Sequence, residues 1–158
     1  MTQPDANAND VIDQLRKWNE KAVSQVIVFQ GQTTIVVPSE LLRSAAQHCK
    51  ETPGLDFNLL SDATCVDRFP IEPRFELNYQ LVSIPRRARI SLRTYVSAQH
   101  PVIDSLMPVW PGANWLEREV FDLFGIQFEG HSDLRRLLLP DDFVGFPLRR
   151  DFPTEGQR

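Results

Sequence analysis

Side chains able to do chemistry crowd the stretch from Ala113 to Pro153, which holds Glu117, Glu119, Asp122, Asp133, Asp141, Asp142, Asp151, Arg118, Arg135, Arg136, Arg149, Arg150 and His131. Paired carboxylates are the equipment of general acid/base catalysis, and Glu117 with Glu119, or Asp141 with Asp142, could be such pairs. Acids one or two positions apart point in different directions, however, and no Ser or Cys nucleophile with a nearby His accompanies them. Solvated acids or salt-bridge partners are the plainer reading; a free-standing enzyme using Glu117, Glu119 and His131 is its rival. His131 has no companion at His-x-x-x-His or His-x-x-Glu-His spacing, so a structural or interface hydrogen bond is expected of it rather than a metal. Glycines 125, 130, 145 and 156 are too scattered to cradle a phosphate, and no Gly-x-Gly-x-x-Gly fingerprint exists. Cys49 and Cys65 lack Cys-x-x-Cys spacing, which leaves neither a disulfide framework nor a cluster or zinc motif.

A helix and a trailing arm must position these groups. Asn114 is a good N-cap, Glu117 stands where a capping-box acid reaches back, and Gly125 can take the left-handed turn past the last residue. At about 100° per residue Ala113, Leu116, Val120, Leu123 and Phe124 form the core face, and Trp115, Arg118, Glu119 and Asp122 the opposite one. Arg118 and Asp122 are four apart and could pair along the helix, for only about 0.3–0.5 kcal/mol if exposed. That face is either a solvated charged surface with one Trp or a surface covered by a partner chain, where Trp and Arg act as anchors. After a short extended piece at Ile126–Phe128 the chain loses all period. The doublets Arg135–Arg136 and Arg149–Arg150, flanked by Leu, Pro and Phe, suit an arm laid along another protein and pinned by charge-assisted hydrogen bonds. With no apolar period to dock it, this arm is expected to be partly mobile in the isolated chain and to order on a partner.

Upstream the periodicities are clearer. Residues 1–9 are polar and expected to fray, and Asp10 then caps a helix carrying Val11, Ile12, Leu15, Trp18 and Ala22. Gln25–Gln30 and Thr33–Val37 read as a hairpin, and Pro38-Ser39-Glu40 opens a helix with Leu41, Leu42, Ala45, Ala46 and Cys49 on one stripe. Phe57–Val66 is an irregular strand. Phe75, Leu77, Tyr79 and Leu81 alternate with polar residues, as do Ala88, Ile90, Leu92, Thr94 and Val96, so these two runs form a hairpin around Pro85–Ala88. Val102–Met107 is expected to form a helical turn or two. The order is α-β-β-α-β-β-β-α with an extended arm: an α+β two-layer sandwich over residues 10–128, with the arm at 129–158. With 158 residues, a formal charge of −4 and no apolar run near the roughly 20 residues that span a bilayer, one soluble domain is expected, without an electrostatic reason for nucleic acid. The polar start also lacks the form of a signal peptide.

The motifs of the C-terminal half resemble a known family. Glu117-Arg118-Glu119, Asp122-Leu-Phe-Gly-Ile126, Gly130-His131, Asp133-Leu-Arg-Arg-Leu-Leu138, Pro147-Leu-Arg149 and Asp151-Phe-Pro153 are similar in type and spacing to the signature of the C subunit (30 kDa subunit) of proton-pumping NADH:quinone oxidoreductase, respiratory complex I. Asp67, the Phe75–Leu81 run and Ala113-Asn114-Trp115 extend the likeness back to about Leu55. Ser132 stands where the family usually has Pro, Phe146 where it has His and Arg150 where Lys is common; many members also carry a longer arm, which implies a smaller docking surface here. The resemblance implies a non-catalytic subunit of the peripheral arm, on the cytoplasmic side of the membrane and attached to it only through the complex. It implies a D subunit beside it that helps form the quinone site, and no cofactor of its own, the NADH, quinone, FMN and Fe-S clusters belonging to the parent complex. It implies that Trp115, Glu117, Arg118, Glu119, Asp122, His131, Asp133, Arg135, Arg136, Pro147, Arg149 and Asp151 form the partner interface. Photosynthetic NDH-type complexes, F420H2 dehydrogenase and membrane-bound hydrogenases carry similar subunits. A scaffold should show its Arg, Asp and His residues on an open surface and arm, whereas an enzyme should gather them in one pocket.

Overall fold

The computed structural model describes residues 6–153 and residue 155. In chain order its elements are α1 (Ala6–Trp18), β1 (Gln25–Phe29), β2 (Gln32–Val36), α2 (Leu42–Glu51), β3 (Leu59–Asp67), β4 (Phe75–Ser83), β5 (Ala88–Val96), β6 (Val102–Asp104), α3 (Ala113–Phe124) and β7 (Gln127–Glu129). The α+β class and the order of the larger elements are those expected. Five strands form one sheet in the order β1-β2-β5-β4-β3, mixed because β2 runs parallel to β5 while the other neighbours are antiparallel.

Strict alternation builds the sheet's two faces. In the β4–β5 hairpin Leu77 faces Thr94, Tyr79 faces Leu92 and Leu81 faces Ile90, all buried on the helix side. Their sequence neighbours line the other face, where Arg93 binds Asn78 Oδ1 at 2.8 Å and Glu76 at 3.2 Å. Inward residues of α1, α2 and α3, such as Leu15, Leu42 and Val120, join the strands in a single core. Among the described residues no helix is long and apolar enough to cross a membrane.

Three local expectations are corrected. Helix α1 begins at Ala6, so Asp10 lies inside it, paired with Arg86 at 2.7 Å; residues 6–9 are helical and the rest of the expected frayed start lies outside the described residues. Val102–Met107 opens as strand β6 instead of a helix, pairing in parallel with β7, Val102 opposite Gln127 and Asp104 opposite Glu129; only a turn at Leu106–Trp110 follows. Helix α3 starts at Ala113 behind Gly112, so Asn114 does not cap it, and its backbone N–H instead donates to the Pro111 carbonyl.

Candidate functional site

Helix α3 is built to be gripped from several sides. Glu117 is wholly buried, and instead of closing a capping box its carboxylate accepts the Ser105 hydroxyl and the Leu106 N–H, both at 2.6 Å. Burial pushes its pKa up to about 7, against the hydrogen bonds from Ser105 and Leu106 and the Arg43 charge that favour the anion. Arg43, from α2, closes the same corner: it donates to Asp104 at 2.6 Å, to the Ser105 carbonyl at 3.2 Å and to the Glu129 carbonyl at 3.0 Å, tying β6 to β7.

The side of α3 read as a charged face is where the arm lies. Asp122 is fully buried; one carboxylate oxygen accepts the consecutive amides of Leu137, Leu138 and Leu139 at 3.0, 2.7 and 2.9 Å, and the other accepts Arg136 at 2.7 Å. Burial alone would raise its pKa, but these donors outweigh it and hold the carboxyl below its usual range. Arg136 also donates to the Phe143 carbonyl at 2.9 Å and lies near the Phe143 and Phe146 rings. Arg118 does not pair with Asp122. Its guanidinium donates to the carbonyls of Arg135 and Arg136 at 3.1 and 3.0 Å, and it stacks on Trp115, a residue 61% exposed. His131 accepts the Asp133 N–H at Nδ1, so Nε2 carries the hydrogen and meets the Asn114 carbonyl at 3.3 Å.

A second set of bonds secures the far end of the arm. Gly125 ends α3 in the left-handed region at φ 73°, as expected, and the arm then crosses directly over it: a Cβ there would stand 2.5 Å from the Phe146 ring and 2.7 Å from Arg149. Arg149 donates to the Phe124 carbonyl at 2.6 Å, one of the carbonyls a helix end leaves open, and packs over Phe75 and Phe146. Burial, then the neighbouring Arg74 charge, pull the Arg149 pKa down. Arg74 sits between two carboxylates, binding Asp67 through 2.9 and 2.7 Å bonds and Asp151 through 2.9 and 2.6 Å bonds. Asp67 additionally accepts the Arg150 and Phe69 amides; against the upward push of burial, these bonds and Arg74 lower its pKa to about 2. Arg74 thereby fastens β3 and β4 to the arm.

Most of the residues expected to face a partner are bonded within the chain: Arg118 and Asp122 meet the arm, Glu117 meets the Ser105 corner, and Arg149 and Asp151 of the arm meet Phe124 and Arg74. Glu117, Arg118, Asp122, His131, Arg136, Arg149 and Asp151 are engaged in intramolecular bonds, so the premise that the arm has no means of docking itself is corrected. Asp133 and Arg135 form an exposed pair at 3.0 Å, Pro147 sits half-buried where the Leu148 N–H meets the Leu123 carbonyl, and Glu119 and Trp115 point outward. Glu117, Glu119 and His131 do not converge, since Glu117 is buried against Ser105 while Glu119 is exposed. Sequence reasoning missed Arg74, Arg43 and Ser105, whose only signal is long-range pairing.

Comparisons with known proteins agree with this architecture. Residues 35–158 match the family described as respiratory-chain NADH dehydrogenase, 30 Kd subunit. The chain is 40% identical over 151 residues to the C subunit of NADH-quinone oxidoreductase from Geotalea uraniireducens (strain Rf4), covering 96% of this chain and 91% of that one. It is 48% identical over 124 residues to the C subunit from Moorella thermoacetica (strain ATCC 39073 / JCM 9320), covering 77% and 82%. Among solved structures it is similar to Nqo5 of the trypsin-resistant fragment (1-134), with TM-score 0.70, 33% identity and coverage of 81% and 99%. A chain of the membrane-bound sulfane sulfur reductase, an archaeal respiratory membrane complex, shares the fold at TM-score 0.77 and 24% identity, covering 93% and 86%.

Proposed function

The chain belongs to the respiratory-chain NADH dehydrogenase 30 kDa subunit family, and from that premise we propose that it is a scaffolding subunit of an NADH:quinone oxidoreductase, docked beside the subunit that forms the quinone site. The observation that carries this reading is the arm fixed along α3. Its Arg136, Arg149 and Asp151 side chains are bonded within the chain, while Trp115, Leu138, Val144 and Leu148 remain 52–63% exposed. Pre-ordered backbone with exposed aromatic and aliphatic side chains is what a protein interface uses as anchors, because little entropy is then lost on docking. Electrons pass through the cofactors of the other subunits, on this reading. The chain's own Cys49 and Cys65 are buried thiols whose pKa burial pushes up to about 12, poor candidates for ligation. The complex holds it on the cytoplasmic side of the membrane.

The test is to replace exposed side chains that no hydrogen bond ties to the chain; Trp115 meets Arg118 only through its ring, and Arg118 keeps its own bonds to the Arg135 and Arg136 carbonyls. Trp115→Ala and Leu138→Asp should leave the isolated chain's melting temperature within a few degrees and lower its co-purification with the quinone-site subunit by at least about tenfold. Wild-type recovery and NADH:quinone turnover in both variants would remove the interface reading.

A further inference from the structure

Away from the arm, a cleft of about 490 Å³ opens at the other end of the sheet. Strands β2 and β5 pair only from Thr34 opposite Ser91 onward, so Gln32–Thr33 and Ala88–Ile90 leave a gap between their starts. Arg87 and Arg89 line it, together with Asn7, Gln32, Thr33 and Gln80, and no acid is among its lining residues, although the chain carries 21 acids against 17 bases. Asp10, the acid brought close by α1, is held by Arg86, the residue before Arg87. Neither Arg87 nor Arg89 has a side-chain partner among the described residues. Thr33 is 3% exposed, and its hydroxyl is a buried polar group without a hydrogen bond.

Two unpaired guanidinium groups at a concave polar site in an acidic protein are a standing oxyanion receptor, because Arg presents a planar fork of donors that matches phosphate or carboxylate. The volume falls within the range of small-molecule sites. Two cations on a chain of net charge −4 are too few to hold a nucleic acid. We propose that this cleft binds a small oxyanion-bearing ligand, its phosphate or carboxylate held by Arg87 and Arg89 and its polar body lying against Thr33, Gln32 and Gln80. Arg74, which grips the arm, lies seven residues before Leu81 on β4, roughly 24 Å along the strand, so the site is independent of the arm's docking.

The test is a titration of the ¹⁵N-labelled full chain with inorganic phosphate, AMP and citrate, each at ionic strength balanced with NaCl. At least one probe should give saturable shifts at the Thr33, Arg87 and Arg89 amides and leave Leu137–Leu139 unmoved. Phosphate and AMP against citrate separate the phosphate source from the carboxylate source. Arg87→Gln and Arg89→Gln should each weaken binding by about tenfold or more, with spectral dispersion showing that both variants fold. Shifts no larger than NaCl alone produces, shifts that do not saturate, or binding unchanged in both variants would overturn the site. So would tighter binding of a single-stranded oligonucleotide than of every small probe.

Discussion

Replacing Glu117 by Gln separates the charge of this buried side chain from its shape. The wild-type carboxyl is fully buried, and its pKa rises from 4.5 to about 7 on folding. A raised acid pKa means that the folded chain holds the proton more tightly than the unfolded one. The stability this lends is complete below pH 4.5 and is lost as pH climbs through about 7. At 1.36 kcal/mol per pH unit, the deprotonated side chain costs the fold about 3 kcal/mol at pH 8. Glutamine keeps an oxygen for the Leu106 N–H and offers an amide hydrogen to the Ser105 hydroxyl, so both contacts of the carboxylic acid survive. Urea denaturation should therefore find Glu117→Gln about as stable as wild type at pH 4.5 and more stable by up to about 3 kcal/mol at pH 8. A variant less stable than wild type at pH 8, or a difference independent of pH, would refute the reasoning.

Asp122→Asn puts an amide NH₂ where either Arg136 or the three leucine amides now donate. Breaking such a buried pair should cost about 3–5 kcal/mol, with trypsin cutting earlier at Arg135, Arg136 and Arg149; unchanged cleavage would count against the clamp. Gly125→Val meets both a left-handed backbone and the overlying Phe146 and Arg149, so we expect a loss of at least about 2 kcal/mol by denaturation, and an unaltered midpoint would contradict the close approach. The carboxyls of Asp67, Asp122 and Asp151 are all held below their usual range. Their stabilisation is present above about pH 4 and is lost as pH falls below it through each lowered pKa, which for Asp67 is about 2. Amide protection at Leu137–Leu139, taken relative to intrinsic exchange at each pH, should fall as pH drops below about 4, and protection that stays constant there would be the contrary result.

What the sequence made legible is what local pattern encodes. The alternation of Phe75–Leu81 and Ala88–Val96 specified their faces and hairpin, and Gly125 marked the end of α3, because each depends on residues a few positions apart. Short parallel strands carry no such pattern: Val102–Asp104 pairs with residues that follow a whole intervening helix, and three residues are too few to show a period. The capping-box reading of Glu117 failed for a related reason, since its partners Ser105 and Leu106 precede the helix by a loop. At Arg118 and Asp122 the spacing of four suggested a mutual pair, but both reach arm residues 14 to 18 positions on. The signature motif marked the stretch in which α3 and the arm meet, but its outward and inward members could be sorted only once the arm's path was known.

The arm's place in the chain has a consequence for how the molecule is made. Every residue that hydrogen-bonds the side chains of Arg118 and Asp122 is synthesised after α3, so on the ribosome the sheet and its three helices can close while those two groups still face water. Hydration serves both charges in that interval, and the last stretch to emerge displaces it with backbone donors and carbonyls. A nascent chain arrested just past Gly130 would thus display an acidic and a basic side chain on an otherwise finished domain, a surface that a chaperone could distinguish from the completed protein.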